Sequence, residues 1–180
     1  MVIQTSRFGT VQITKEDLIQ FPEGLLGFND LHNFVLLDDP NDEIFAWLQS
    51  CEEPSIAFPV LEPELFTDNY AVKFNKHDLA SLNATSDASI RSFSIITIPE
   101  DPTQMTANMK APVVINIQKR IARQCVLQDS HLNIREPIFS RLQQRVVQNP
   151  SSTIKSQSTT MGVAIKLPEA GNEPEPSASL

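Results

Sequence analysis

Three histidines, His32, His77 and His131, and two cysteines, Cys51 and Cys125, are the residues of this 180-residue chain best suited to nucleophilic, acid–base or metal chemistry. None has a partner at the spacing that chemistry uses: no histidine has a ligand three or four residues away, and the cysteines form no CxxC pair. The nucleophile elbow GxSxG, the phosphate loop GxxxxGK and the dinucleotide motif GxGxxG are absent, and five glycines leave little material for a phosphate cradle. Adjacent carboxylates occur at Asp38–Asp39, Asp42–Glu43 and Glu52–Glu53. Neighbours on a strand point to opposite faces, so these pairs read as solvated acidic loops rather than acid–base dyads. A calcium loop needs alternating oxygen ligands about a central glycine, and no stretch has them. The two cysteines read as buried, inert thiols of a reducing compartment. The expectation is a protein with no catalytic residue, no cofactor and no metal.

Charge points to binding instead. The formal net charge is -8, and it is unevenly placed. Residues 1–100 hold 5 basic and 16 acidic side chains, whereas residues 101–180 hold 9 and 6. Of the aromatic residues, only Phe139 follows residue 100. An acidic, aromatic-rich face attracts a basic protein and repels nucleic acid. Residues 101–166 carry 9 basic and 3 acidic side chains, but lack the aromatic platform on which bases would stack. No apolar run approaches the roughly 18 residues of a membrane helix, and the N-terminus MVIQTSRFGT lacks the pattern of a secretion signal. The chain is therefore expected to be cytoplasmic, with no membrane and no direct nucleic-acid contact. A small β-barrel enzyme or ligand-binding module of unknown substrate is the alternative.

The elements that position these residues are mostly strands. Val11 and Ile13, Tyr70, Val72 and Phe74, and Val113, Ile115 and Ile117 alternate with polar or small neighbours, the period of a half-buried strand. The stretches 33–37, 44–50 and 56–61 are apolar on both faces for part of their length, as in a closed or strongly curved sheet. Stretches 93–98 and 121–128 bring the set to about eight to ten short strands. Prolines 22, 40, 54, 63, 99, 102, 112 and 137 fall between runs, and Pro59 inside one predicts an edge or bulge. Two short helices are expected: residues 77–82 after an Asn75 cap, and a basic amphipathic one from Pro137 with Phe139, Leu142 and Val146 on its apolar face. The fold expected is mainly β, an antiparallel, barrel-like domain over residues 1–145, followed by a disordered Ser/Thr/Pro-rich tail over 146–180. Within that tail Met161–Leu167 (MGVAIKL) is an apolar island, a candidate strand for a sheet edge.

Several segments, in order, resemble the flagellar assembly factor FliW family. Phe21-Pro-Glu-Gly-Leu-Leu-Gly-Phe28 is similar to its F-x-x-G-L-P-G-F segment, and Trp47-Leu-Gln-Ser50 with Ile56-Ala-Phe58 to its L-Q-S and following strand. Thr97-Ile-Pro-Glu-Asp-Pro102 and Thr106-Ala-Asn-Met-Lys-Ala-Pro-Val-Val-Ile-Asn116 resemble its T-I-P-x-D-P and T-x-N-L-x-A-P-I-x-I-N block, and Arg123-Gln-Cys-Val-Leu127 follows. The resemblance spans residues 3–139. Leu26 and Met109 depart from it, standing where the family commonly has proline and leucine.

The resemblance implies a non-catalytic adaptor, a monomer when free. It implies binding to CsrA, the small basic protein that represses flagellin translation, and to flagellin, with secretion of flagellin releasing the adaptor to antagonise CsrA. The partner-binding candidates are Phe28, Gln49, Glu52, Glu53, Asn108, Lys110, Pro112 and Asn116. Structural readings stand beside some of these and their neighbours: Asn108 and Asn116 as side chains that hold turns, Phe28 and Trp47 as core, and Gly24 and Gly27 as turn conformers.

Overall fold

Most of the alternating stretches become strands, and the hydrogen-bonded order of the main sheet closes on itself. This computed structural model describes residues 1–41, 44–148 and Val163–Ala164. Its first strands are β1 (Val2–Thr5), β2 (Gly9–Gln12), β3 (Ile19–Gln20), β4 (Asn33–Asp38), β5 (Ala46–Ser50) and β6 (Ala57–Leu61). Then come β7 (Ile90–Thr97), β8 (Thr106–Ala107), β9 (Val113–Asn116), β10 (Ile121–Gln124), β11 (Glu136–Pro137) and β12 (Val163–Ala164). The helices are α1 (Lys76–Ser81) and α2 (Phe139–Gln148).

From β7 the ladder runs through β6, β5, β4, β3, β10 and β9, and β9 pairs back onto β7. That circuit is a small barrel, antiparallel except where β3 and β10 meet in parallel at Gln20 and Ile121. β7 shares one of its sides between two partners, β9 along Ile90–Phe93 and β8 at Ile96 and Thr97. β11 extends β8, and β1 with β2 forms a separate hairpin.

Every strand of the circuit sends an apolar side chain inward: Ile19, Phe34, Leu36, Leu48, Val60, Phe93, Ile115 and Ala122 form one cluster with Phe21 and Leu25. Phe21 and Phe34 are fully buried and pack edge to face, with ring centroids 4.9 Å apart. Each such large side chain contributes about 1.5–3 kcal/mol by leaving water. The alternate residues of β4 and β5 face outward and are covered as well. Val35, Leu37 and Trp47 lie beneath Ile3, Phe8, Val11 and Ile13 of the hairpin and its flanks. This is why the β4 and β5 stretches read as apolar on both faces. α2 caps a second cluster, where Ile138 and Leu142 meet Phe45, Phe66, Ile96 and Met105.

Pro59 sits in β6 opposite Trp47, and the pairing of β6 with β7 begins one residue later, at Val60. Ser50 donates to the carbonyl of Ile56, so residue 59 turns its nitrogen away from β5, where β7 is not yet paired. The missing donor is therefore tolerated. Two expectations need correction. Residues 70–74 form no strand: Tyr70 donates its hydroxyl to the Met109 carbonyl at 2.7 Å, and Val72 and Phe74 pack against the cluster of Leu82, Val114 and Cys125. Their alternation reflects packing without a ladder. The second helix starts at Phe139, not Pro137, because Glu136 and Pro137 pair with β8. It also runs to Gln148, past the expected boundary at residue 145. The first helix forms as expected, with the Asn75 side chain accepting from the Asp78 N–H at 2.8 Å. Asp42 and Glu43, the side chain of Val146, and the tail beyond Gln148 apart from Val163–Ala164 lie outside the described residues.

Candidate partner-docking surface

The eight sequence candidates do not converge on one patch. Phe28 packs edge to face on Phe58, with ring centroids 5.2 Å apart, at the margin of the barrel core. Gln49 is wholly buried, and its Nε2 donates to the carbonyls of Ser50, Pro54 and Ile56. Glu52 is a clamp: its carboxylate accepts from the His32 N–H at 2.8 Å, the Asn33 N–H at 3.2 Å and Asn33 Nδ2 at 2.8 Å. Desolvation pushes the Glu52 carboxyl up, but those bonds outweigh it and hold the group below its ordinary range. Glu53 accepts from the N–H and hydroxyl of Ser55. These two acids shape the turn between β5 and β6.

Asn108 and Asn116 anchor turns. Asn108 Oδ1 accepts from the N–H groups of Lys110 and Ala111, at 3.2 and 3.0 Å. Asn116, 1% exposed, donates to the carbonyls of Leu82 and Asn83 and accepts from the N–H groups of Gln118 and Lys119. Pro112 is buried. Lys110 is half-buried and lines a hollow of about 540 Å³ with Leu132, Asn133, Ile134 and Arg135. Trp47, 8% exposed, is core, and the guanidinium of Arg7 sits 3.7 Å above its ring.

A groove of about 660 Å³ emerges that none of those candidates lines. It is lined by the end of β10 and the residues beyond it, Arg123 to Gln128, together with Glu23, Leu26, Tyr70, Lys73 and Asp78. Cys125 and Leu127 donate to the carbonyls of Pro112 and Lys110, at 3.0 and 2.7 Å. Successive strand residues direct their peptide groups to opposite sides, so Gln124 and Val126 direct theirs the other way. Among the described residues no strand pairs with them there, since β3 reaches only Ile121. Two exposed apolar side chains lie beside this open edge, Leu26 at 56% and Val126 at 52%.

The centre of the groove is Arg123. Its guanidinium lies 3.6 Å from both Glu23 and Asp78, and Nη1 donates to Ser81 Oγ at 2.8 Å, while the buried Nε has no hydrogen-bond partner. Leu26 explains its own departure from proline. Its N–H donates to Gln124 Oε1 at 3.1 Å, tying the turn to the strand by a bond proline cannot make. Composition and alternation gave no sign of the groove, because its walls come from residues about 50 and 100 positions apart. The signal within reach in the sequence is the segment Arg123-Gln-Cys-Val-Leu127.

Burial pushes the Cys51 thiol up to about 12, with the Glu52 carboxylate adding, and the Cys125 thiol up to about 11. Both are poor nucleophiles at neutral pH. The barrel interior, where a small-molecule enzyme would hold its substrate, is packed with apolar side chains. Among the described residues no helix is long and apolar enough to cross a membrane.

Comparison with known proteins places this architecture. The family model described as FliW protein matches residues 2–138. A flagellar assembly factor FliW of Bdellovibrio bacteriovorus is 66% identical over 167 residues, 93% of this chain and 95% of that protein. One from Leptospira biflexa is 34% identical over 145 residues, 80% of this chain and 95% of its own. A crystal structure of the flagellar assembly factor FliW superposes with a TM-score of 0.72 at 29% identity, covering 77% of this chain and 97% of that one. A family model matched over residues 2–138 and a relative 66% identical over 93% of the chain make this chain, with its closed β circuit, a member of the FliW family of flagellar assembly factors.

Proposed function

We propose that this chain is a cytoplasmic, non-catalytic adaptor of flagellar assembly that binds CsrA, antagonising its repression of flagellin mRNA, and also binds and chaperones flagellin. The observation that carries the reading is the family match across residues 2–138, with its ordered motifs. The charge distribution supports it, since 16 acidic against 5 basic side chains in the first hundred residues suit a basic partner such as CsrA. The groove beside Arg123–Gln128 suits an extended apolar segment of flagellin: the open edge offers main-chain hydrogen bonds, and Leu26 and Val126 offer apolar contact. If the two partners exclude each other, each lowers the other's affinity by the same factor.

The test is co-elution with purified CsrA on a sizing column at low and moderate salt, followed by addition of flagellin. The expected result is a CsrA complex that flagellin displaces. Absence of a complex at both salt concentrations overturns the CsrA assignment. Val126→Asp is expected to weaken flagellin binding at least about tenfold, roughly the cost of placing a charge at an apolar contact. Unchanged flagellin affinity removes the groove from the interface.

A further inference from the structure

β4 is covered unevenly. β5 pairs with it from Phe34 to Asp38, whereas β3 on its other side pairs only with Asn33 and Phe34. The orientation of its peptide groups follows from two bonds: Phe21 donates to the His32 carbonyl, and Cys51 to the Asn33 carbonyl. Odd-numbered residues of β4 therefore turn their N–H and C=O toward β5, and even-numbered ones toward β3 and the space beyond it. Leu36 and Asp38 are the even-numbered residues past the end of β3, and each is only 3% exposed. Backbone groups at a sheet edge past the end of a neighbouring strand are a template for a further strand. In the structure Val163 and Ala164 meet that edge, antiparallel to Asp38 and Leu37.

We propose that the outer edge of β4 at Leu36–Asp38 is a strand-addition site, and that its resident is this chain's own Met161–Leu167 segment, bound in cis. The sequence of the segment suits the role. Met161, Val163, Ile165 and Leu167 alternate with Gly162, Ala164 and Lys166, and Pro168 ends the run. Reach is ample: the 14 residues between Gln148 and Val163 span up to about 48 Å when extended. The relatives divide on this feature. The Bdellovibrio bacteriovorus match, at 167 residues, is longer than the 148 residues through the end of α2, so part of it lies in the tail. The Leptospira biflexa protein is 95% matched by 145 residues, which leaves about eight residues, fewer than a linker of this length and its strand need. In this chain such a cis strand closes an edge that would otherwise be open to a strand from another molecule. A strand at this edge does not depend on CsrA or flagellin being the partners.

Hydrogen exchange read residue by residue by NMR tests it, using the full chain and a full-length variant carrying Val163→Pro and Ala164→Pro. The expected result is exchange of the Leu36 and Asp38 amides faster in the variant by about tenfold, the weight of one or two hydrogen bonds. Val35 and Leu37, which face β5, keep their protection and report that the variant is folded. Equal exchange of Leu36 and Asp38 in the two proteins overturns the proposal. So does protection in the wild-type chain that fades on dilution, because that assigns the strand to a second copy.

Discussion

Asn116→Ala is expected to destabilise the fold by about 3–4 kcal/mol while leaving partner recognition intact in the molecules that remain folded. The Asn116 side chain lies at the end of β9, 1% exposed, and holds four backbone groups. Its Nδ2 donates to the Leu82 carbonyl at 2.9 Å and the Asn83 carbonyl at 3.3 Å, and its Oδ1 accepts from Gln118 at 3.1 Å and Lys119 at 3.2 Å. The Leu82 bond is buried, and an orphaned carbonyl there costs about 1–3 kcal/mol. The other three are partly exposed, so water replaces them in part and each contributes about 0.5 kcal/mol. Asn83 has φ of 50°, a left-handed residue just past α1, and the lost bond also frees that turn. At about 2–4 °C per kcal/mol for a chain of this size, the melting temperature falls by roughly 10 °C. Urea unfolding followed by Trp47 fluorescence measures the change, with an unaltered m-value reporting the same transition. Asn116→Asp sharpens the test. It keeps both acceptor bonds but aims a carboxylate at two carbonyls, so its folded-state pKa rises and its stability recovers as pH falls and the carboxyl protonates. A loss below about 1 kcal/mol in Asn116→Ala, accompanied by loss of CsrA or flagellin capture, would refute the reasoning and make Asn116 a contact residue.

Gly24→Ala is expected to cost more than about 2 kcal/mol, because φ is +67° and the new Cβ would lie 2.6 Å from the Phe28 carbonyl oxygen and 2.7 Å from Asn29 Cα. Gly27→Ala, at φ +83° with open space around it, is expected to cost only about 1–2 kcal/mol; denaturation midpoints in the reverse order would contradict this. Leu26→Pro stiffens the unfolded chain by about 0.4–1 kcal/mol and loses the bond to Gln124 of similar size. Its midpoint is expected to stay within about 1 kcal/mol of wild type, and a clear stabilisation would show that the Gln124 bond contributes nothing. Glu52 has a depressed carboxyl, so its stabilising contribution is present above the ordinary value of 4.5 and disappears as pH falls through the lower folded value. The stability gap between wild type and Glu52→Gln is expected to narrow over that acid range, and a gap independent of pH would refute the clamp.

Legibility differed by element for physical reasons. The two-sided apolarity of the β4 and β5 stretches announced a closed sheet, because both faces of those strands are covered, one by the barrel and one by the hairpin. Asn75 before a short run of helix formers announced α1, because capping is local. Residues 70–74 misled, because alternation records which side is buried and not whether a neighbouring strand exists. Pro137 misled in the same way, since the pairing of β11 with β8 depends on residues 30 positions upstream. Among the site candidates, the structural readings of Asn108, Asn116 and Trp47 describe the observed contacts, and these were recoverable from side-chain chemistry. The groove was not, because it exists only once the turn at Glu23, the stretch at Tyr70 and the strand at Arg123 are brought together.

The parallel bridge between Gln20 and Ile121 also has a kinetic meaning. β4, β5 and β6 succeed one another along the chain and pair as neighbours, so they assemble through short loops. The bridge joins residues about a hundred positions apart, and one register pair holds it. Bringing such distant segments together costs chain entropy before contacts repay it. The barrel therefore has a seam, which its topology predicts to be the last joint to close during folding and the first to part.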